Sequence, residues 1–419
     1  MSNITKPIVL DETMHGIAGI MERTNILLSQ MVSADVDATP VATLNEIHEI
    51  VRAGEAPNVF SYGDQINVNY NNGTTDYVLP FDIVHFGDVT LQDGEVVPGM
   101  FIQSHYAMQP VAFDGNEAFY VDFDGTSYAD LPAGTYHFTM GNSWGSNVVA
   151  NKVYQFTTTR AGKVFQFGTA TGTIGQLPDI APADWRVLVY DSINATEPLE
   201  RVTLTEGSGG TDLGTLSSST KYSTTGMNNM QRASYGYNRY GQSAMEQWLN
   251  SSAAAGAWWT SKNPFDRPPD QLGSLQGFMN GFDEAFLNIL QPVRVRTALN
   301  TLSDSEIGTY EDVYDTFFPA SLEEEYIVPQ LSGVEGEAWE YWKRRLGITS
   351  PQAPHPTVNA AHIRYAYDAR TSAQNCRLRS ASRGTATSAW IVSSTGFATN
   401  YYGYSATYAI RCAPACVIC

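Results

Sequence analysis

From Phe60 onward the apolar residues of this chain switch to a period of two, and that switch limits the fold more than any other feature. Gln65-Ile-Asn-Val-Asn-Tyr70 alternates, Asn72-Gly73 is a hairpin-turn dipeptide, and Asp76 to Ile83 returns. Further strands are expected at Met100–Gln103 and Met108–Phe113, then at Ala118–Phe123, Gly134–Met140, Val153–Thr158, Val164–Phe167, Val187–Tyr190 and Arg201–Leu204. Asp124-Gly125 and Ala161-Gly162 stand where hairpin turns belong. Six short strands at this spacing predict a β-sandwich over 115–215. Gly207–Gly210 and the Ser/Thr-rich Leu216–Thr225 read as a linker or long loop.

Helical periods flank this region. Leu10, Ile17, Ile20, Met21, Ile26, Leu27 and Met31 predict a helix over 9–34 with Asp11 as N-cap. Leu44, Ile47, Ile50 and Val51 predict a second, which Gly54 can end. Their apolar faces need a partner, either the next domain or copies of themselves. Beyond Gln231, helices are expected at Gln242–Asn250, over Phe278, Phe282, Phe286, Leu287 and Leu290, and at Ala338–Leu346. Val293–Thr297 alternates as a strand, and Ser321 with Glu324 fits a capping box. The chain is therefore expected to be α+β and β-rich. Its expected parts are a helical tether or oligomerisation segment (1–55), opening strands (56–114), an inserted sandwich (115–215) and a display domain (216–419).

The formal net charge of −19 argues against nucleic acid or an anionic membrane as partner. No apolar run approaches the ~20 residues of a membrane span, and the N-terminus lacks the pattern of a secretory signal. Four cysteines in 419 residues are too few for a disulfide scaffold.

Arg370 to Cys419 stands apart. It holds five arginines and no acid, and between Ala389–Val392 and Ala413–Cys419 it is dominated by Tyr, Ser, Thr, Asn and Gly. Those are the residues of adaptable binding surfaces.

Several phrases point to one family: Tyr237-Asn238-Arg239, Gln247-Trp248-Leu249-Asn250, Gly277-Phe278 with Gly281-Phe282-Asp283, Val293–Thr297, Pro319-Ala-Ser-Leu-Glu-Glu, Leu378-Arg379-Ser380, Ala389-Trp390-x-Val392 with Ser394-x-Gly396, and Arg411-Cys-Ala-Pro. Together they resemble the C-type-lectin-fold domains of gut phage and prophage proteins. They also resemble the variable proteins of diversity-generating retroelements. The resemblance covers about 190 residues at the C-terminus, and the strand pair near 60–90 resembles the opening of the same domain. It implies a virion-associated protein that binds a host cell-surface protein or glycan, contacts other virion proteins, and forms a homo-oligomer, with a trimer favoured.

Carried over by position, the scaffold would be Leu378, Arg379, Trp390, Val392, Gly396 and Arg411-Cys412-Ala413-Pro414. The ligand-binding positions would be Ser382, Thr385, Thr387, Ser388, Phe397, Thr399, Asn400, Tyr401, Tyr402, Tyr404, Ser405, Thr407 and Tyr408, with Ile391 and Ser393 as further display candidates. Arg379 and Arg411 could pair with acids such as Asp283 or Glu323. The rival reading is a purely structural head or tail decoration whose Tyr-rich face lies between subunits.

Other chemistry is weaker. Cys412-x3-Cys416-x2-Cys419 alternates like a buried strand and has odd spacing for zinc. The seven histidines form no metal-binding pair, and Gly207–Gly210 lacks the Lys-Ser/Thr of a phosphate loop. Asp122-x-Asp124-Gly125 reads as a turn, Glu323–Glu325 as a helix start, and Trp258-Trp259 as the exposed tryptophan pair. Gln291-Pro292-Val293 lacks the third oxygen of a calcium-dependent sugar site. Neither a cofactor nor an enzymatic activity is expected.

Overall fold

The computed structural model describes residues 43–115, 117, 119–120, 132–140, 150–161, 164–169, 185–190, 200–216, 232, 235–263, 266–305, 307–400 and 405–419. The helix expected over 9–34 and the Asp122–Gly125 turn lie outside them.

The alternating stretches fold as their period requires. Strands Gln65–Asn71 and Asp76–Thr90 pair antiparallel, with Ile66, Val68 and Tyr70 buried on one face. Asn72 closes the turn by accepting the amides of Thr74 and Thr75, and Gly73 supplies the positive φ of 97°. Strand Val96–Ser104 adds next, then Pro414–Ile418, then Phe317–Pro319, giving one five-stranded antiparallel sheet. The last strand of the chain thus pairs with one of the first three, Ala415 facing Gln103 and Val417 facing Phe101. Every residue from Pro414 to Ile418 is buried, which is why this strand reads as a continuous apolar run.

The helix Leu44–Arg52 starts at a capping box formed by Thr43 and Glu46. It buries Ile47, Ile50 and Val51 in the main core, and His48 Nε2 lies 2.8 Å from the Cys419 carbonyl. Packing within the chain accounts for its apolar face.

A second five-stranded sheet runs in the order Ala398–Thr399, Ala389–Val392, Cys376–Ala381, Ala409–Cys412 and Val111–Ala112. The chain crosses from this sheet to the main one at Ala413, between Ala409–Cys412 and Pro414–Ile418. Of the strand expected over Met108–Phe113, only Val111–Ala112 is regular.

The central region holds two four-stranded sheets. One comprises Glu200–Thr203, Trp185–Tyr190, Val164–Thr169 and Phe119–Tyr120; the other comprises Thr205–Glu206, Val153–Thr158, Gly134–Met140 and Thr211–Leu216. Gly207–Gly210 is a short connection that carries the chain from Thr205–Glu206 at one edge of the second sheet to Thr211–Leu216 at the other, with Gly209 N on Gln155 Oε1 at 2.8 Å; a Cβ on Gly210 would meet the Thr135 carbonyl at 1.9 Å.

The chain leaves for this region and returns through a narrow neck. Glu117 N binds the Arg232 carbonyl at 3.1 Å, and their side chains form a fully buried ion pair at 2.5 Å.

The helix expected across Phe278–Leu290 is broken into a 3-10 turn, Phe278–Gly281, and one α-turn, Glu284–Leu287. The cause is close packing on the first strand, since a Cβ on Gly281 would lie 2.3 Å from the Tyr70 ring. Phe278, Phe282 and Phe286 then cluster on Phe317. Ser243 caps the short helix Ala244–Leu249, and Gly347 ends Glu340–Leu346 in the left-handed conformation. The fold is α+β and β-rich.

Candidate functional site

The second sheet positions the C-terminal candidates. Cys376–Ala381 is buried along its whole length, and its two arginines anchor it differently. Arg379 donates to both carboxylate oxygens of Glu324 and to the carbonyls of Pro319, Arg296 and Glu335. Burial works against its charge, yet Glu324 and Glu335 hold its pKa above the ordinary guanidinium range. The partner is therefore Glu324, neither Asp283 nor Glu323. The Ser321–Glu324 capping bonds do form, at 2.9 and 3.1 Å. No helix follows them: the chain stays in turns and reaches the left-handed conformation at Tyr326, φ 58°. Arg377 instead donates to the carbonyls of Ala389 and Ser405, and burial pushes its pKa down.

Of the remaining scaffold candidates, Leu378, Trp390, Val392, Cys412, Ala413 and Pro414 are buried. Gly396 has φ +88°, and a Cβ there would meet the Asn359 carbonyl at 2.2 Å, so glycine is required. Arg411 is half-buried and pairs with Asp368 at 3.1 Å.

The expectation that the small polar residues face solvent needs correction. Ser382, Thr387, Ser388, Thr399, Ser405 and Thr407 are buried, as are Ile391 and Ser393. They are tied into the sheet and its loop: Ser382 N binds the Ser388 carbonyl, Ala406 N binds the Thr387 carbonyl, and Asn400 Nδ2 binds Ser382 Oγ at 2.8 Å. Small hydroxyl side chains suit this crowded region because each carries its own donor and acceptor.

Thr385, Phe397 and Asn400 are half-buried, and Tyr408 is 41% exposed. Tyr401, Tyr402 and Tyr404 lie outside the described residues. Thr385 N and Asn400 Nδ2 both bond to Ser382, at its carbonyl and its hydroxyl. Phe397 does not join them, because it follows the turn at the other end of strand Ala389–Val392 and packs on His355.

Sequence reasoning missed what holds the 382–388 loop. The single Asn238 amide donates to the carbonyls of Ser382 (3.1 Å), Thr385 (2.8 Å) and Ser388 (2.8 Å), one of its two protons being shared. Its Oδ1 accepts from Asn300 Nδ2 at 2.9 Å, and Asn300 in turn binds Asp304 at 2.6 Å. Tyr237 donates its hydroxyl to the same Asp304, whose carboxyl burial pushes up. The Tyr237-Asn238-Arg239 phrase was the one available signal.

Among the described residues, one group has ligand atoms close enough to hold a metal ion: Asp114, Glu117 and Asp266, within 4.8 Å of one another. The protein already supplies its donors. Glu117 is committed to Arg232, Asp114 accepts the Tyr237 and Ala244 amides, and Asp266 accepts Lys262 N, Asn263 N and Asn263 Nδ2. Burial pushes Asp114 well up and Asp266 to about 7, and the neighbouring carboxylates add to the rise.

The four cysteines are free and buried, and burial pushes Cys376 to about 12 and Cys419 to about 11, so they are inert thiols. Trp258 is buried with Nε1 on the Leu275 carbonyl, against the expectation of an exposed pair. A cavity of about 370 Å³ lies between residues 85–90 and 293–296, with the Arg379–Glu324 pair in its lining. That guanidinium is spent on protein oxygens and offers the cavity no free charge. No helix among the described residues is long and apolar enough to cross a membrane.

A protein-family model described as Domain of unknown function (DUF6273) matches residues 216–418. No curated protein and no solved structure matches the chain.

Proposed function

We propose that this chain is a ligand-binding protein of a phage or prophage virion, carrying a C-type-lectin-like domain formed by residues 56–114 and 216–419. The central sheets would be a sandwich inserted between these parts, and the N-terminal residues a tether. Its partners would be a host cell-surface protein or glycan, other virion proteins and further copies of itself, as a trimer. The lectin-like reading draws support from the pairing of the opening hairpin with the closing strand, beside a small second sheet that bears the loops. The phage assignment draws on the sequence phrases.

One observation carries the binding role. The 382–388 loop and Asn400 meet at one end of the buried strands Cys376–Ala381 and Ala389–Val392. A half-exposed tip on a closed scaffold is how folds present recognition residues.

The test is binding of the purified full chain to intact cells of the bacterium the phage infects. Thr385→Arg with Asn400→Arg should weaken binding at least about tenfold, the cost of a clash at an interface centre, while the double variant still unfolds cooperatively on heating. Undiminished binding by a folded double variant would sink the reading and favour the decoration role. Sequencing the locus tests diversification separately: a template repeat, a reverse transcriptase and adenine-confined mismatches are expected.

A further inference from the structure

The 382–388 loop is held almost wholly through its backbone. The carbonyls of Ser382, Thr385 and Ser388 accept from the Asn238 side chain, and that of Ala386 accepts from Asn238 N at 3.0 Å. The Arg383 carbonyl accepts from Thr301 N and Oγ1, and the Thr387 carbonyl from Ala406 N. Six of the seven carbonyls from 382 to 388 are thereby fixed by groups whose chemistry does not depend on the loop's own side chains.

At the tip the side chains contribute little. A Cβ added to Gly384 would meet nothing within 4 Å, and Gly384 shows no positive φ that would demand glycine. Thr385 adds one bond, from Ser388 N to its Oγ1 at 3.2 Å. Arg383 adds two, from its guanidinium to the Leu299 and Thr309 carbonyls.

We infer that Gly384 and Thr385 are specificity-determining positions on a side-chain-tolerant recognition loop, and that Asn238 is the positioning residue that keeps the loop's shape whatever those side chains are. A carboxamide suits this task. It donates to several carbonyls at once and accepts from Asn300 without placing a charge beneath the surface. The term recognition rests on the binding role proposed above, whereas the tolerance and the clamp do not.

The experiment therefore needs no ligand. Gly384 and Thr385 are each replaced by Ala, Ser, Asn, Tyr and Arg in the full chain, with Asn238 intact and with Asn238→Ala. Thermal melting and amide exchange of 382–388 are then measured. With Asn238 intact, every variant should melt within about 2 °C of the parent, as for surface positions without special contacts, and loop exchange should stay protected. Asn238→Ala should raise exchange of the Ser382 and Thr385 amides at least about tenfold while strands Cys376–Ala381 and Ala389–Val392 remain protected.

If Asn238→Ala unfolds the whole chain, Asn238→Ser supplies the local readout, since it is neutral and its single hydroxyl proton cannot serve three carbonyls. Large melting losses from Gly384 or Thr385 variants would overturn the tolerance, and unchanged loop exchange in both Asn238 variants would overturn the clamp. Normal tolerance and clamping combined with no cell binding would remove the binding role, and with it the specificity assignment, and leave the tolerance and the Asn238 clamp standing.

Discussion

Strand Cys376–Ala381 is fixed by its side chains, while the loop that follows it is fixed by its backbone. The strand buries all six residues and commits Arg379 to a carboxylate and three carbonyls. The loop leaves Gly384 exposed and takes its shape from an amide on a segment some 144 residues earlier in the chain. A buried charge pair is intolerant, because losing either member strands the other in a low-dielectric interior. Amide–carbonyl bonds to the main chain ignore which side chain sits above them. One sheet thus combines a part that cannot change with a part that can.

The largest break in this comparison should come from Arg379→Met. It leaves Glu324 and Glu335 buried without their cation and should cost about 3–5 kcal/mol in chemical denaturation. A loss no larger than that of a surface variant would show the pair is solvated.

Acid tests the same rigid half. His362 donates Nε2–H to the Glu325 carbonyl at 2.9 Å, bracing the turn that holds Glu324, and burial lowers its pKa from 6.5 to about 4. A base whose folded pKa is depressed lends stability above its unfolded pKa and loses it as pH falls. Stability should therefore drop by on the order of 3 kcal/mol between pH 6.5 and 4, a slope that His362→Gln should flatten. The sign is opposite at the neck. Asp266, raised to about 7, favours folding when protonated, so its contribution fades as pH rises from about 4 through 7, and Asp266→Asn should weaken that trend, with Asp114 keeping the remainder.

Smaller still, Asn238→Ala should cost about 1–3 kcal/mol, the price of stranded buried carbonyls. Tyr408→Ala, at an exposed side chain, should stay within about 0.5 kcal/mol.

Period made much of the fold legible. The hairpin at Gln65–Ile83, the Asn72-Gly73 turn, strands Gly134–Met140 and Val153–Thr158 and the buried C-terminal cysteines follow from alternation and turn chemistry alone. Phe278–Leu290 misled because its phenylalanines keep helical spacing while Gly281 must press against Tyr70. The site was less legible for a physical reason. Ser and Thr serve exposed binding faces and buried hydrogen-bonded strand ends equally well, and composition cannot separate the two. Glu324 was passed over for its neighbour Glu323 because a one-residue difference in a turn decides which carboxylate points inward. Asn238, Asn300 and Asp304 converge from positions up to 150 residues from the loop they support, so no local pattern announces them.

The division between scaffold and tip is tested most directly by placing one bulky side chain at each candidate position. Tyrosine is substituted singly at Ser382, Thr387, Ser388, Thr399, Ser405 and Thr407, and at Gly384 and Thr385, and each variant is melted. The six buried positions should each lose at least about 1–3 kcal/mol to overpacking, and the two tip positions should melt like the parent. Tolerance at the buried six, or unfolding at Gly384, would contradict the account.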